Sequence, residues 1–300
     1  MAIFEKALEG NVMSTHILIR ADVKKDILLK AYQISKDFED RYSAYKENSL
    51  ISTINKNSGL KATKILDEDI EIFNKSIQAS KDTNGLFDIT IGSLSHGVYH
   101  FGFKNQKIAS KQDIKKAKSL ISFKNIELKN NSIFLKQKNM RIDLGGIGKG
   151  YVSKLIAKFL LDNGAKKMLV DVGGEIISMG KSYVIAIKNP FKEGIIATIK
   201  TSKEPISIST SGDYERFIDR DNHHIIDTKE GKSNLYYSSM TIIKNSLDID
   251  LLDAYATALF NQQNIKPLIN RLDISAIVID RDKTISLHNI DKLKLDKIEF

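Results

Sequence analysis

The 300-residue chain contains no cysteine. Disulfide staples, thiolate nucleophiles and cysteine metal sites are therefore excluded. The compartment stays open on this count, because a disulfide-free chain survives in oxidising and reducing surroundings alike. Proline is nearly as scarce, with three residues, and no Pro/Gly/Ser-rich linker interrupts the chain. One unit over 1–300 is expected rather than beads on a string. No stretch approaches the apolar length of a membrane-spanning helix. The opening MAIFEKALEG lacks a basic segment followed by an apolar run. As written, the chain is expected to be cytoplasmic, with a periplasmic location the alternative if a leader was removed.

What is present is ordinary for a globular protein: 42% hydrophobic and 28% charged residues, enough to bury a substantial core. The formal charge is +9, but the lysines are mixed with acids, as at 24–26 and 111–116. There is no basic run interleaved with aromatics, so nucleic acid is not an expected partner. A modest attraction for a polyanionic small ligand remains.

Apolar spacing predicts a strand over 12–20 with Met13, Thr15, Ile17 and Ile19 on one side, and a helix over 23–41. Asp67 is placed to cap a helix through Ile70, Phe73 and Ile77 that ends near Asn84-Gly85. Residues 132–136 and 140–144 read as a hairpin across 137–139. A helix follows Gly150 and stops at Gly164, a left-handed cap position. Strands are expected near 167–172, 182–188, 195–200 and 205–209, a helix over 252–262, and a hairpin from 275–280 and 283–288. Helices and hairpins without a strand-helix-strand rhythm predict an α+β fold with mostly antiparallel sheets.

Four segments carry chemistry. Asp143 to Gly150 (DLGGIGKG) is a glycine-rich turn before a helix, where backbone N–H groups and the helix dipole favour an anion. Its spacing matches neither a P-loop nor a dinucleotide fingerprint, and a purely structural turn is the bland alternative. Asp253 and Thr257 fall one helical turn apart, which puts two hard oxygens on one face, a donor type suited to magnesium. By itself such a pair is common by chance. His223 and His224 are acid/base candidates without zinc spacing. Thr210 to Tyr214 (TSGDY) reads as a turn with a cap. Tyr42, Tyr45 and Phe87 are core aromatics by default, with stacking on a flat ring as the sharper option.

Taken in order, these segments resemble the ApbE family of FAD:protein FMN transferases. The resemblance runs from Met13-Ser14-Thr15 through Tyr42 to Tyr45, Asn48-Ser49, Asn55, Asn84 to Thr90, the glycine-rich segment, Asp171 to Gly174, TSGDY, His224 to Asp227 and Asp253 to Thr257. It implies a T-fold-like α+β architecture with packed helices. FAD, as substrate, would contact Met13, Tyr45, Leu86, Phe87, Asp88, Asp143 and Lys149. Magnesium would be held by Asp253, Thr257 and a backbone carbonyl of the glycine turn, assigned to Gly146. His224 would be the catalytic base. The implied activity is transfer of FMN through a phosphoester bond to a threonine of an acceptor flavoprotein, with release of AMP. A FAD pyrophosphatase and a non-enzymatic FAD carrier are the alternatives. Two places depart from the family pattern: Gly148 stands where alanine is frequent, and Thr228-Lys229-Glu230 where Pro-Arg-Thr is frequent.

Overall fold

In a computed structural model, which describes residues 5–300, sixteen strands and eight α-helices are seen. The strands in chain order are β1 (Lys6–Val12), β2 (Thr15–Ala21), β3 (Thr63–Lys64), β4 (Ile126–Leu128), β5 (Ser132–Leu135), β6 (Met168–Val172), β7 (Glu175–Met179), β8 (Val184–Lys188), β9 (Ile195–Thr201), β10 (Ile206–Gly212), β11 (Phe217–Asp219), β12 (Asn222–His223), β13 (Tyr237–Lys244), β14 (Ser275–Asp280), β15 (Ile285–His288) and β16 (Leu295–Glu299). The helices are α1 (Lys25–Tyr42), α2 (Leu50–Lys56), α3 (Asp67–Asp82), α4 (Gly92–Ser95), α5 (Lys111–Lys118), α6 (Gly148–Asp162), α7 (Ile249–Phe260) and α8 (Lys266–Leu272).

An eight-stranded sheet in the order β1-β2-β6-β7-β10-β13-β14-β15 forms the framework, and every neighbouring pair in it is antiparallel. Its central strands are apolar at successive positions because both faces are covered. Val170, Ile177, Ile242 and Val278 pack with Phe38, Ile156, Leu252 and Phe260 of the helices. Their neighbours Leu169, Ile176, Ile243 and Ile277 pack on the other face with Ile185, Ile187 and Ile199 of a three-stranded sheet, β16-β9-β8. Burying each such side chain stabilises the fold by roughly 1.5–3 kcal/mol. The α+β, mostly antiparallel expectation is therefore met.

Helix α7 is buried almost all round, against β10, β13, α3 and α6. An apolar helix with no solvent face belongs in such a place. It carries Asp253 into the interior, and this is the structural fact on which the site depends.

Several local expectations are corrected. Residues 12–20 are not one strand: Met13 and Ser14 have φ of 51° and 61° and form the two-residue turn between β1 and β2. Paired left-handed residues match the twist of a tight hairpin. The 132–136/140–144 hairpin does not form. Strand β5 pairs with β3 and β4, and the 140–144 stretch is held by a side chain instead. The Asn55 amide donates to Ile142 O (3.0 Å) and accepts from Ile142 N (2.7 Å), copying a strand's pairing. Asp67 is not the cap of α3. That position is Leu66, whose N–H is taken by Asp69 Oδ2 at 2.6 Å. Thr210 to Gly212 continue β10 rather than forming a turn. Strands β7 and β13, both buried, carry no alternation and were not foreseen.

Candidate active site

The glycine turn is built by its own first residue. Asp143 Oδ1 accepts from Gly145 N at 2.9 Å, and the turn closes with Gly148 N donating to Leu144 O at 2.7 Å. Helix α6 starts there. A Cβ on Gly150 would lie 2.6 Å from Ile249 O and 2.8 Å from Asp253 Cβ; one on Gly146 would lie 3.1 Å from Thr257 Oγ1. These two glycines therefore let the start of α6 touch α7. The contact is used: Gly150 N donates to Asp253 Oδ2 at 2.9 Å. Sequence spacing put Asp253 and Thr257 on one face of a helix, and the structure adds Gly146 beside Thr257.

Electrostatics at this joint are unbalanced. Lys149 Nζ lies 2.7 Å from Glu175 Oε1 and 3.9 Å from Asp253 Oδ1. Burial opposes its charge, but the two carboxylates outweigh that and hold the lysine well above its usual range. Burial pushes the Glu175 carboxyl up, and the Asp253 charge adds to the rise. Burial likewise pushes Asp253 up, against Lys149 and the Gly150 amide. Two buried acids thus share one ammonium, and Glu175 Oε2 has no hydrogen-bond partner among the described residues. Among the described residues no three His, Asp or Glu side chains cluster as a metal site. One carboxylate, one hydroxyl and a nearby backbone carbonyl nevertheless suit magnesium, which keeps waters and shares its sphere with substrate phosphates. The charge deficit and the unpartnered Oε2 fit an added cation.

Across the cleft, Met13 O accepts from Arg216 Nη2 at 3.4 Å. Tyr45 is exposed, donates to Phe101 O at 3.1 Å, and packs against His96 with the rings tilted and their centroids 4.7 Å apart. Leu86 and Phe87 follow the left-handed pair Asn84-Gly85 that ends α3, and the Phe87 ring lies against Gly146. Asp88 lines the cleft, yet its carboxylate is engaged internally. It accepts from Thr90 N (2.9 Å), Thr90 Oγ1 (2.7 Å) and Phe123 N (2.7 Å). It therefore shapes the Leu86–Asp88 turn. Asp143 is different. Burial opposes its ionisation, but the charge of His96, 3.0 Å from Oδ2, and the Gly145 amide hold it well below the usual carboxylate range.

The two histidines separate cleanly. His223 is buried, with Nε2 donating to Asn234 O at 2.8 Å and Nδ1 accepting from Ile225 N at 3.3 Å. Both ring nitrogens are engaged, so it is not an acid/base candidate. His224 Nδ1 donates to Arg216 O at 3.0 Å, which leaves Nε2 without a hydrogen-bond partner among the described residues. Burial and the Arg216 charge push this imidazole down to about 3. A neutral ring with a fixed tautomer and a bare nitrogen is the form a general base needs.

Met13, Tyr45, Leu86, Phe87, Asp88, Asp143, Gly146, Lys149, His224, Asp253 and Thr257 all line one cleft of ≈ 590 Å³. That places side chains separated by more than 200 positions around a single ligand-sized space. Residues 13–278 match the sequence model of the ApbE family. The chain belongs to this family. Its relatives include the FAD:protein FMN transferase of Klebsiella pneumoniae, 26% identical with 96% of this chain and 93% of that protein covered. The Escherichia coli K12 protein of the same name is 26% identical, with coverage of 92% and 84%. Among solved structures, the ApbE protein of Thermotoga maritima superposes with a TM-score of 0.89 at 23% identity, covering 98% of this chain and all of that one. The flavin transferase ApbE of Vibrio cholerae gives 0.82 at 21% identity, with 96% and 98% covered. The fold is thus the ApbE fold.

Sequence reasoning does not find three residues at this ApbE-family site: Arg216, which lines the cleft, and the buried Glu175 and His96, which touch the lining residues Lys149 and Asp143. Glu175 lies one residue beyond the Asp171 to Gly174 block, and Arg216 two beyond Tyr214, so proximity to a motif was the available signal. His96 carried none: a lone histidine among aromatics reads as core.

Proposed function

We propose that this ApbE-family enzyme, a transferase, is a magnesium-dependent FAD:protein FMN transferase. It joins FMN to a threonine hydroxyl of an acceptor flavoprotein. The observation that carries the reading is His224. Its Nε2, without a hydrogen-bond partner among the described residues, shares a cleft with Lys149, Gly146, Asp253 and Thr257.

The reaction is displacement at phosphorus, which needs positioning and charge neutralisation more than covalent help. His224 Nε2 takes the proton of the threonine hydroxyl. The hydroxyl oxygen bonds to the FMN-side phosphorus, and the bond from that phosphorus to the bridging oxygen breaks. AMP departs with the bridging oxygen. Lys149 supplies a fixed positive charge for the diphosphate, held in place by Glu175 and so needing no reorganisation. Magnesium, when bound, neutralises charge on the diphosphate oxygens. Arg216 O keeps His224 in the Nδ1–H tautomer.

The test is incubation with FAD, magnesium and a flavin-acceptor protein, followed by denaturing electrophoresis. A fluorescent acceptor band is expected. His224→Ala should retain FAD binding and lose the label, and Asp253→Ala should weaken the magnesium dependence. Release of FMN and AMP with no acceptor label would replace the transferase reading with a pyrophosphatase. FAD bound but left intact under both conditions would leave a carrier.

A further inference from the structure

His96, itself buried, touches two residues that line the cleft, Asp143 and Tyr45. On one side its Nε2 is 3.0 Å from Asp143 Oδ2. On the other its ring packs on Tyr45, with centroids 4.7 Å apart, and edge-on to Phe103 at 5.5 Å. The guanidinium of Arg216 lies over the Tyr45 ring at 5.9 Å, with Nη1 donating to the Tyr45 hydroxyl at 3.4 Å. Arg216 O holds both His224 N and Nδ1. The glycine-turn wall and the wall bearing the free imidazole are thus joined through Asp143, His96, Tyr45 and Arg216. His96 is 7% exposed. Asp143 needs more than the Gly145 amide and the Ser95 hydroxyl, which reaches Oδ2 at 3.3 Å. Its second oxygen lies 3.0 Å from His96 Nε2, a close polar approach short of hydrogen-bond geometry.

We propose that His96 is a positioning residue for flavin-nucleotide recognition: it fixes the Asp143 carboxylate as a hydrogen-bond acceptor in the cleft and sets the Tyr45 ring beside it. The carboxylate accepts from a donor on the ligand, an imide N–H, amino or hydroxyl group. A carboxylate free to rotate or to take a proton would lose that selectivity. The inference rests on the reading that FAD occupies this cleft. A packing role for His96 would affect folding alone.

The experiment is calorimetric titration of FAD into wild type, H96F, H96Q, D143N and H96F/D143N, with steady-state kinetics in parallel. H96F keeps an aromatic ring against Tyr45 and Phe103 but loses the contact to Asp143. H96Q keeps a donor. H96F should weaken FAD binding about tenfold, the scale of one lost polar contact to a charged group. KM should rise by the same factor, and kcat should fall by less. H96Q should recover most of the affinity. H96F/D143N should bind no worse than D143N, because both substitutions break one unit. H96A carries the same reading should H96F not fold. Unchanged FAD affinity in H96F and H96A, or losses that multiply with that of D143N, overturns the inference. Absence of FAD binding by the wild type overturns the functional reading as well, so the two failures are distinguishable.

Discussion

Substitution of His223 by glutamine makes a quantitative test of how the segment bearing His224 is held. His223 is 1% exposed, and its ring is satisfied only as the neutral Nε2–H tautomer. Burial pushes its pKa down to about 4 from 6.5. The unfolded chain takes a proton below pH 6.5, whereas the folded one refuses it until about pH 4. Stability from this group is therefore present above pH 6.5 and lost as pH falls toward 4. Integrated from pH 7.5 to pH 5, the loss is about 2 kcal/mol, at about 1.4 kcal/mol per pH unit once the unfolded form is protonated. The substituted glutamine does not titrate. Other groups whose pKa is shifted, such as Glu175, act equally on both proteins and cancel in the difference. Urea denaturation of wild type and H223Q at the two pH values reads it directly. H223Q should be the less stable protein at pH 7.5, and its deficit should shrink by about 2 kcal/mol at pH 5. A deficit that is the same at both pH values refutes the assignment of a neutral, proton-excluding His223. Because His223 pairs with Phe217 and precedes His224, loss of the pairing should also loosen His224, the proposed base.

Three further outcomes follow from the same geometry. Gly150→Ala drives a Cβ into Ile249 O and Asp253 Cβ. Overpacking of about 1–3 kcal/mol, offset by about 1 kcal/mol of helix propensity, should lower the melting temperature by a few degrees, and displaced Asp253 should cut activity more than tenfold. Lys149→Met strands Glu175 and Asp253 without their shared counter-charge and should cost about 3 kcal/mol in urea titration, part of which Glu175→Gln restores in the double variant. The acid limb of kcat/KM should lie well below pH 6.5, because His224 in the free enzyme stays neutral down to about 3; an acid limb at 6.5 that disappears in His224→Gln would contradict that electrostatic account.

Which parts of this were legible beforehand depends on whether a signal is local. Helix α1 and the end of α6 at Gly164 follow from apolar spacing and a left-handed cap, and the structure has them at Lys25–Tyr42 and with φ of +85°. Strands β7 and β13 are buried on both faces, so the alternation that marks a strand is missing from them. The 140–144 stretch looked like a strand partner because its backbone is extended, but Asn55, more than eighty positions earlier, supplies its pairing. His223 and His224 are equivalent in the sequence; only their neighbours separate a satisfied core imidazole from one with a free nitrogen.

The sequence by itself determined the chemistry available: no thiol, a glycine-rich turn before a helix, an Asp and a Thr one helical turn apart, and a histidine pair. These are properties of residue type and short spacing, and they survive without knowledge of the fold. Only the tertiary structure decided which of them act together. The close approach of α6 to α7, permitted by Gly146 and Gly150, brings Lys149 to Asp253 and Glu175 and leaves two buried acids sharing one ammonium. Beside the same cleft, the contacts of His96 link the glycine turn through Tyr45 to Arg216, whose carbonyl holds His224. Charge and proton affinity inside a protein depend on burial and on through-space neighbours, and the linear order of residues records neither.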